Sequence, residues 1–144
     1  MDTRLQDLVD WIRRSASLAQ GLLLPVSGGS DSALCFWLCA QAYPEKTMAV
    51  YCGDQLRCQD WFAQQGPLHL VPAPPDSQHR EAQRWAHFLA MGLTEHRWLV
   101  GARTRTEEVF GTYSLASRLA TYLPIAGVWK TEVMQFCDLV GVPE

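Results

Sequence analysis

The sequence predicts a three-layer α/β domain built on a parallel sheet of about five strands. Three observations carry this prediction. Short apolar runs alternate with helical patterns along the whole chain, as in Leu22–Val26, Ala33–Tyr43 and Thr47–Tyr51. The first run is continuously apolar, as a strand covered on both faces is. A glycine-rich turn follows it and leads straight into a helical pattern.

The elements follow in order. Leu5, Leu8, Val9, Trp11, Ile12 and Leu18 recur at helical spacing with Arg13 and Arg14 opposite them, which predicts an amphipathic helix over 5–19 ended by Gly21. Leu22–Val26 is the first strand, with Pro25 counting against it because proline donates no ladder hydrogen bond. Ala33–Tyr43 is apolar nearly all round and predicts a helix packed on the sheet, ending before Pro44. Thr47–Tyr51 is a second strand, Gln55–Gln64 a short helix and Leu68–Val71 a third strand. The loop Pro72–Pro75 then leads to Asp76 or Ser77 as the cap of a long helix reaching about Gly92. Arg97–Val100 is a fourth strand, the polar stretch from Gly101 to Glu108 leads into short helical pieces, and a last helix runs over Lys130–Val140, closed by Gly141 and Pro143.

Composition limits the function classes. The 144 residues make one domain, 1–144, with 48% apolar and 19% charged residues, which fits a packed core and excludes a disordered chain. A net charge of −3 gives no basic field for nucleic acid. The first seven residues hold two acids and no apolar stretch of the secretory kind, and no apolar run reaches the length of a membrane span. Five cysteines, an odd number without a CxxC pair, argue against a disulfide framework or a structural zinc site and read as reduced thiols of a cytoplasmic protein. His69, His79, His87 and His96 lack metal-ligand spacing.

The chemistry concentrates in Ser27-Gly28-Gly29-Ser30-Asp31-Ser32, between the first strand and the next helix. Adjacent glycines let backbone amides close around an anion at a helix N-terminus, and Ser27, Ser30 and Ser32 add hydroxyls suited to phosphate oxygens. The lysine of a Walker A loop is absent. Asp31 would repel a bare phosphate, and a divalent cation between them removes that repulsion. A plain tight turn with Asp31 as a helix cap is the competing reading.

SGGSDS resembles the SGGxDS loop of the N-type ATP pyrophosphatases, the PP-loop superfamily. That resemblance implies a Rossmann-like, adenine nucleotide alpha hydrolase-like fold. It also implies cleavage of ATP between the α and β phosphates, and an adenylate displaced by ammonia, an amine or sulfur. Within the superfamily the C-terminal half is most similar to ammonia-dependent NAD synthetase, through Gly101–Glu107, Gly111–Ser114, Pro124-Ile125, Lys130–Val133 and Val140–Pro143. Carried across, the resemblance assigns Ser27, Gly28, Gly29, Ser30, Asp31 and Ser32 to the ATP phosphates, Asp31 and Glu107 to Mg²⁺, and Lys130 to ATP. Asp31 and Lys130 are then the catalytic pair. Arg84 and Arg118 become substrate-binding candidates. The resemblance further implies a carboxylate-bearing acceptor, an ammonia donor, a role in NAD biosynthesis and a homodimer.

The departures are specific. Ala102 stands where the family has an ATP-contacting threonine, and Thr104 where it has an asparagine. The lysine and two aspartates that hold nicotinic acid adenine dinucleotide in the family fall on Leu115, Arg118 and Thr121. The family also continues, past the position matched to Glu144, with a segment that closes over the site. Two other readings therefore stay open: another PP-loop chemistry, such as nucleobase or tRNA amidation or thiolation with Cys52 or Cys58 as the reactive sulfur, and a nucleotide-binding protein without catalysis. The six tryptophans, and Cys35 with Cys39 one helical turn apart, are expected in core or subunit packing.

Overall fold

The computed structural model describes residues 1–75 and 78–144. Asp76 and Ser77, the expected cap of the fourth helix, lie outside the described residues. Among the described residues six α-helices and four strands follow in the order α1 (Thr3–Ser15), β1 (Leu22–Pro25), α2 (Ser30–Ala42), β2 (Thr47–Cys52), α3 (Gln59–Gln65), β3 (Leu68–Val71), α4 (Arg80–Thr94), β4 (Trp98–Leu99), α5 (Arg105–Phe110), a 3₁₀ turn (Leu115–Leu119) and α6 (Lys130–Val140). The strands form a parallel sheet in the order β3-β2-β1-β4. A fifth full strand is not formed among the described residues. Its place is marked by a parallel bridge between Val100 and Tyr122, beyond which Pro124 cannot donate to a ladder.

Pleating divides β1 between two cores. Leu22 and Leu24 join the cluster built with α1, α2 and α6, whereas Leu23 joins Val50, Val71, Phe88, Leu99 and Ala120 on the α4 side. All three leucines are fully buried, each contributing roughly 1.5–3 kcal/mol of transfer free energy. Pro25 is tolerated because it is the last residue of β1, opposite Val50, and the ladder resumes when Val26 N donates to Val50 O at 2.9 Å.

Several boundaries differ from the sequence expectation for physical reasons. α1 begins at Thr3 because the Asp2 carboxylate accepts from Arg4 N at 2.9 Å and Leu5 N at 3.3 Å. It ends at Ser15, short of the expected 19, and Lys46 Nζ caps the carbonyls beyond it, at 2.6 Å from Ala19 O and 3.4 Å from Ala16 O. α3 starts at Gln59 instead of Gln55, because Cys58 adopts the left-handed conformation at φ 60°. α2 is longer than expected, opening at Ser30, and most of its residues are buried. The last helix spans Lys130–Val140 as expected, terminated by Gly141 at φ 78°.

The tryptophans split. Trp61 is buried, whereas Trp11, Trp98 and Trp129 are about two-fifths exposed and so are not core residues. Trp11 stacks on Tyr122 at 5.6 Å, and Trp129 lies under the Arg105 guanidinium at 5.0 Å. Cys35 and Cys39 are buried as expected. Among the described residues no helix is long and apolar enough to cross a membrane.

Candidate active site

Parallel strands direct their carboxyl ends to one edge, and the sheet order places β1 beside β4, where successive connections leave in opposite directions. A cavity of about 310 Å³ opens at that edge, at the small end of the range for ligand pockets. The β1–α2 connection forms one wall, with Ser27, Asp31 and Ser32. The chain leaving β4 and α5 form another, with Arg103 and Glu107. Tyr51 and Cys52 from β2, Glu81, Arg84, Trp85 and Phe88 from α4, and Tyr113, Ser114 and Ser117 complete it.

The glycine-rich loop is held by its own serines. Ser32 is buried; its Oγ accepts from Ser27 N at 3.1 Å and donates to Gly29 O at 3.3 Å. Ser27 Oγ lies 3.3 Å from both Ser32 Oγ and Gly29 N. Ser32, expected to offer its hydroxyl to phosphate, instead closes the loop on itself. Gly28 carries the turn at φ 80°, and Gly29 is the extended residue before α2.

Lys130 reaches this loop from the opposite end of the chain. Its Nζ donates to Ser30 Oγ at 3.0 Å and to Asp31 Oδ1 at 2.7 Å. Two contacts fix α6 there: at its start Lys130 N donates to Thr106 Oγ1 at 3.0 Å, and two turns on Cys137 Sγ donates to Ser30 O at 3.4 Å. Burial beneath α2, reinforced by the Asp31 charge, pushes the Cys137 thiol up to about 11. Gly28, Gly29, Ser30 and Lys130 stand outside the cavity lining, with Lys130 and Ser30 joined to it through Asp31.

Glu107 lines the cavity and also serves its helix. Its Oε1 accepts from Thr104 N at 3.3 Å and Thr104 Oγ1 at 3.2 Å, while Glu107 N donates back to Thr104 Oγ1 at 3.4 Å. Thr104, fully buried, therefore holds α5 and does not face the site. Arg84 lines the cavity and pairs with Glu81, which also accepts from Trp85 Nε1 at 2.9 Å. Arg118 is exposed and touches the site only through Tyr113, donating to its hydroxyl at 2.8 Å. Leu115 and Thr121 are exposed as well, so the three positions matched to the family's dinucleotide contacts lie outside the cavity lining.

Cys52 lines the cavity, but burial pushes its thiol up, with Arg84 offsetting only part of the effect. A sulfur nucleophile needs the opposite shift. Arg103, Tyr113 and Trp85 are cavity residues that the sequence did not single out; Arg103 falls inside the Gly101–Glu107 stretch, between the two departures that drew attention.

No family model matches the sequence, and no curated protein matches it either. Comparison with solved structures gives the fold. The ammonia-dependent NAD synthetase of Campylobacter jejuni superposes with a TM-score of 0.83 at 18% identity, covering 98% of this chain and 74% of its own. The NMN synthetase of Francisella tularensis gives 0.83 at 19% identity, covering 96% and 70%. The glutamine-dependent NAD⁺ synthetase of Acinetobacter baumannii, solved in complex with ADP, gives 0.80 at 18% identity over 94% of this chain and 32% of that longer one. The chain thus has the α/β fold of the NAD synthetases over nearly its whole length.

Proposed function

We propose that the chain is a cytoplasmic, Mg²⁺-dependent adenylating enzyme of the ATP-pyrophosphatase kind. A carboxylate oxygen of the acceptor attacks the α-phosphorus of ATP, the bond from that phosphorus to the bridging oxygen breaks, and pyrophosphate leaves. Ammonia then attacks the acyl carbon, AMP departs with the C–O bond electrons, and the amide nitrogen loses a proton. The observation that carries this reading is the meeting of Lys130 with Ser30 and Asp31, 100 and 99 residues away, beside a glycine-rich loop at a helix start.

The residues divide the work. Amides of the Gly28–Ser30 turn receive phosphate oxygens, and the Lys130 ammonium offsets charge gathering on the α-phosphate as it becomes five-coordinate. The donor chemistry fits Mg²⁺: Asp31 and Glu107 present hard carboxylate oxygens to one cavity, and an ion that retains water and phosphate ligands needs few from protein. Bound there, Mg²⁺ would neutralise charge on the departing pyrophosphate.

The acceptor is a carboxylate other than nicotinic acid adenine dinucleotide, since Leu115, Arg118 and Thr121 replace the charges the family uses for it. Exposed Val109, Phe110 and Leu115, close in sequence beside the cavity, support association as a homodimer. The raised Cys52 thiol disfavours the sulfur-transfer alternative.

Incubation with ATP, Mg²⁺, ammonia and a panel of carboxylic acids tests the reading. AMP and pyrophosphate forming in step with an amide are expected. ADP and phosphate would refute the bond assignment, and ATP binding without turnover on any acid would favour a nucleotide-binding protein without catalysis.

A further inference from the structure

Arg103 is a cation that the adenylation chemistry above does not use. It follows Ala102, just past β4, with its side chain only 12% exposed and lining the cavity. Its charge cannot be discharged, because a guanidinium does not lose its proton in a protein. Yet Nε and Nη1 are both buried without a hydrogen-bond partner among the described residues. Glu108 Oε1 approaches Nε at 3.0 Å, close enough for ionic attraction but off the line a hydrogen bond requires. Glu108 is itself 38% exposed, so this attraction is partly screened.

The surroundings orient the guanidinium without satisfying it. It lies over the Tyr113 ring at 4.6 Å, a cation–π contact. Arg118 approaches the same ring at 5.5 Å and occupies the Tyr113 hydroxyl as an acceptor, so that hydroxyl keeps its own proton to donate. The cavity's other arginine differs: Arg84 is neutralised by Glu81. Arg97, which also has an unpartnered Nε, differs too, because its Nη1 donates to Lys46 O at 2.8 Å and to Leu22 O at 3.4 Å.

We propose that Arg103 is the anion-binding residue of an acceptor subsite. An oxyanion of the acceptor, carboxylate or phosphate, sits on the Arg103 guanidinium and takes the Tyr113 hydroxyl as a second donor. Guanidinium N–H groups recognise either oxyanion through charge-assisted hydrogen bonds. The inference deepens the adenylation reading and rests on it: Lys130 and the loop serve ATP, and Arg103 serves the second substrate. It makes the acceptor an anion and gives it a fixed end in the cavity.

The test uses the full chain and four forms: wild type, Arg103→Met, Arg103→Lys and Glu108→Gln. Calorimetry measures binding of α,β-methylene-ATP with Mg²⁺, and then of inorganic phosphate or benzoate, with and without that nucleotide. Phosphate and benzoate separate the two oxyanion sources. The expected result is oxyanion affinity at least tenfold weaker in R103M, partly restored in R103K, and tighter in E108Q, with nucleotide affinity within twofold throughout. Melting temperatures should not fall in R103M, because the substitution removes a poorly partnered buried charge. Oxyanion affinity within twofold of wild type in R103M, or no binding of either anion to wild type, overturns the proposal. So does a parallel loss of nucleotide affinity, which would assign Arg103 to ATP, or a lower melting temperature with anion binding intact, which would make its role structural. Arg103-dependent anion binding in a chain that binds no nucleotide sustains the subsite and defeats the ATP reading instead.

Discussion

Gly28 and Gly29 are neighbours in one turn, but a single added methyl group should affect them differently. At Gly28 the backbone is left-handed, φ 80°, which costs a non-glycine residue about 1–2 kcal/mol. The new Cβ would lie 2.9 Å from Arg57 Cβ and 3.4 Å from both Arg57 N and O, atoms tied to the main chain that cannot swing away. The entropy removed from the unfolded chain returns only about 0.4–1 kcal/mol. With about 1 kcal/mol more for that close contact, Gly28→Ala should lose about 2 kcal/mol, or about 6 °C in Tm at about 3 °C per kcal/mol for a domain of this size. At Gly29 the backbone is extended, φ −87° and ψ 167°, and the nearest atom to an added Cβ is Ser27 Oγ at 3.3 Å. Gly29→Ala should stay within about 1 kcal/mol of wild type, the unfolded-state gain offsetting the poorer helix cap. Gly29→Val also fits this backbone, and its branches fill the open side of the loop where phosphate is proposed to sit, so it should fold and fail to bind ATP. Thermal melts rank the stabilities and calorimetry with ATP and Mg²⁺ reads the binding. Equal melting temperatures for the two alanine variants would refute the backbone argument, and undiminished ATP affinity in folded Gly29→Val would refute the phosphate cradle.

Other outcomes follow from the same geometry. Lys130→Met should weaken ATP·Mg²⁺ binding by about tenfold to a hundredfold, the worth of a charged hydrogen bond, while stability moves by less than about 1 kcal/mol because the Lys130 and Asp31 side chains are 45% and 25% exposed; unchanged affinity by calorimetry would remove Lys130 from the site. The Cys137 thiol, raised from 9.0 to about 11, stays protonated in the folded chain after it ionises in the unfolded one. Stability should thus be unaffected below pH 9 and fall by about 1–2 kcal/mol as pH rises to 11, and Cys137→Ala should flatten that slope in urea titrations across the range. Light scattering at micromolar concentration should give twice the chain mass, and a monomer would count against the homodimer.

Much of this protein was readable from sequence because the deciding interactions are local. The Ser27–Ser32 turn and the α6 limits depend on residues within one or two turns of each other, and Gly141 at φ 78° ends α6 where its position indicates. The first strand follows a similar logic, its continuously apolar Leu22–Leu24 run burying both faces. Local signals failed where distant groups intervened. α1 stops early with Lys46 on the carbonyls beyond it, and the fifth strand shrinks to the Val100–Tyr122 bridge ahead of Pro124.

The candidate site divides along the same line. That SGGSDS forms an anion-receptive turn is a property of six adjacent residues, set by glycine dihedrals and a helix N-terminus. Which side chains share the cavity with it is not. Placing β4 beside β1 brings the Gly101–Arg103 segment to the loop, and docking the start of α6 on α2 and α5 brings Lys130 to Asp31. Glu107 is both a cap and a cavity carboxylate, and Ser32 proves to be a clasp of the loop rather than a free donor. These assignments depend on hydrogen-bond partners up to 107 residues apart, which the chain acquires only when the sheet order and helix packing set its distant segments side by side.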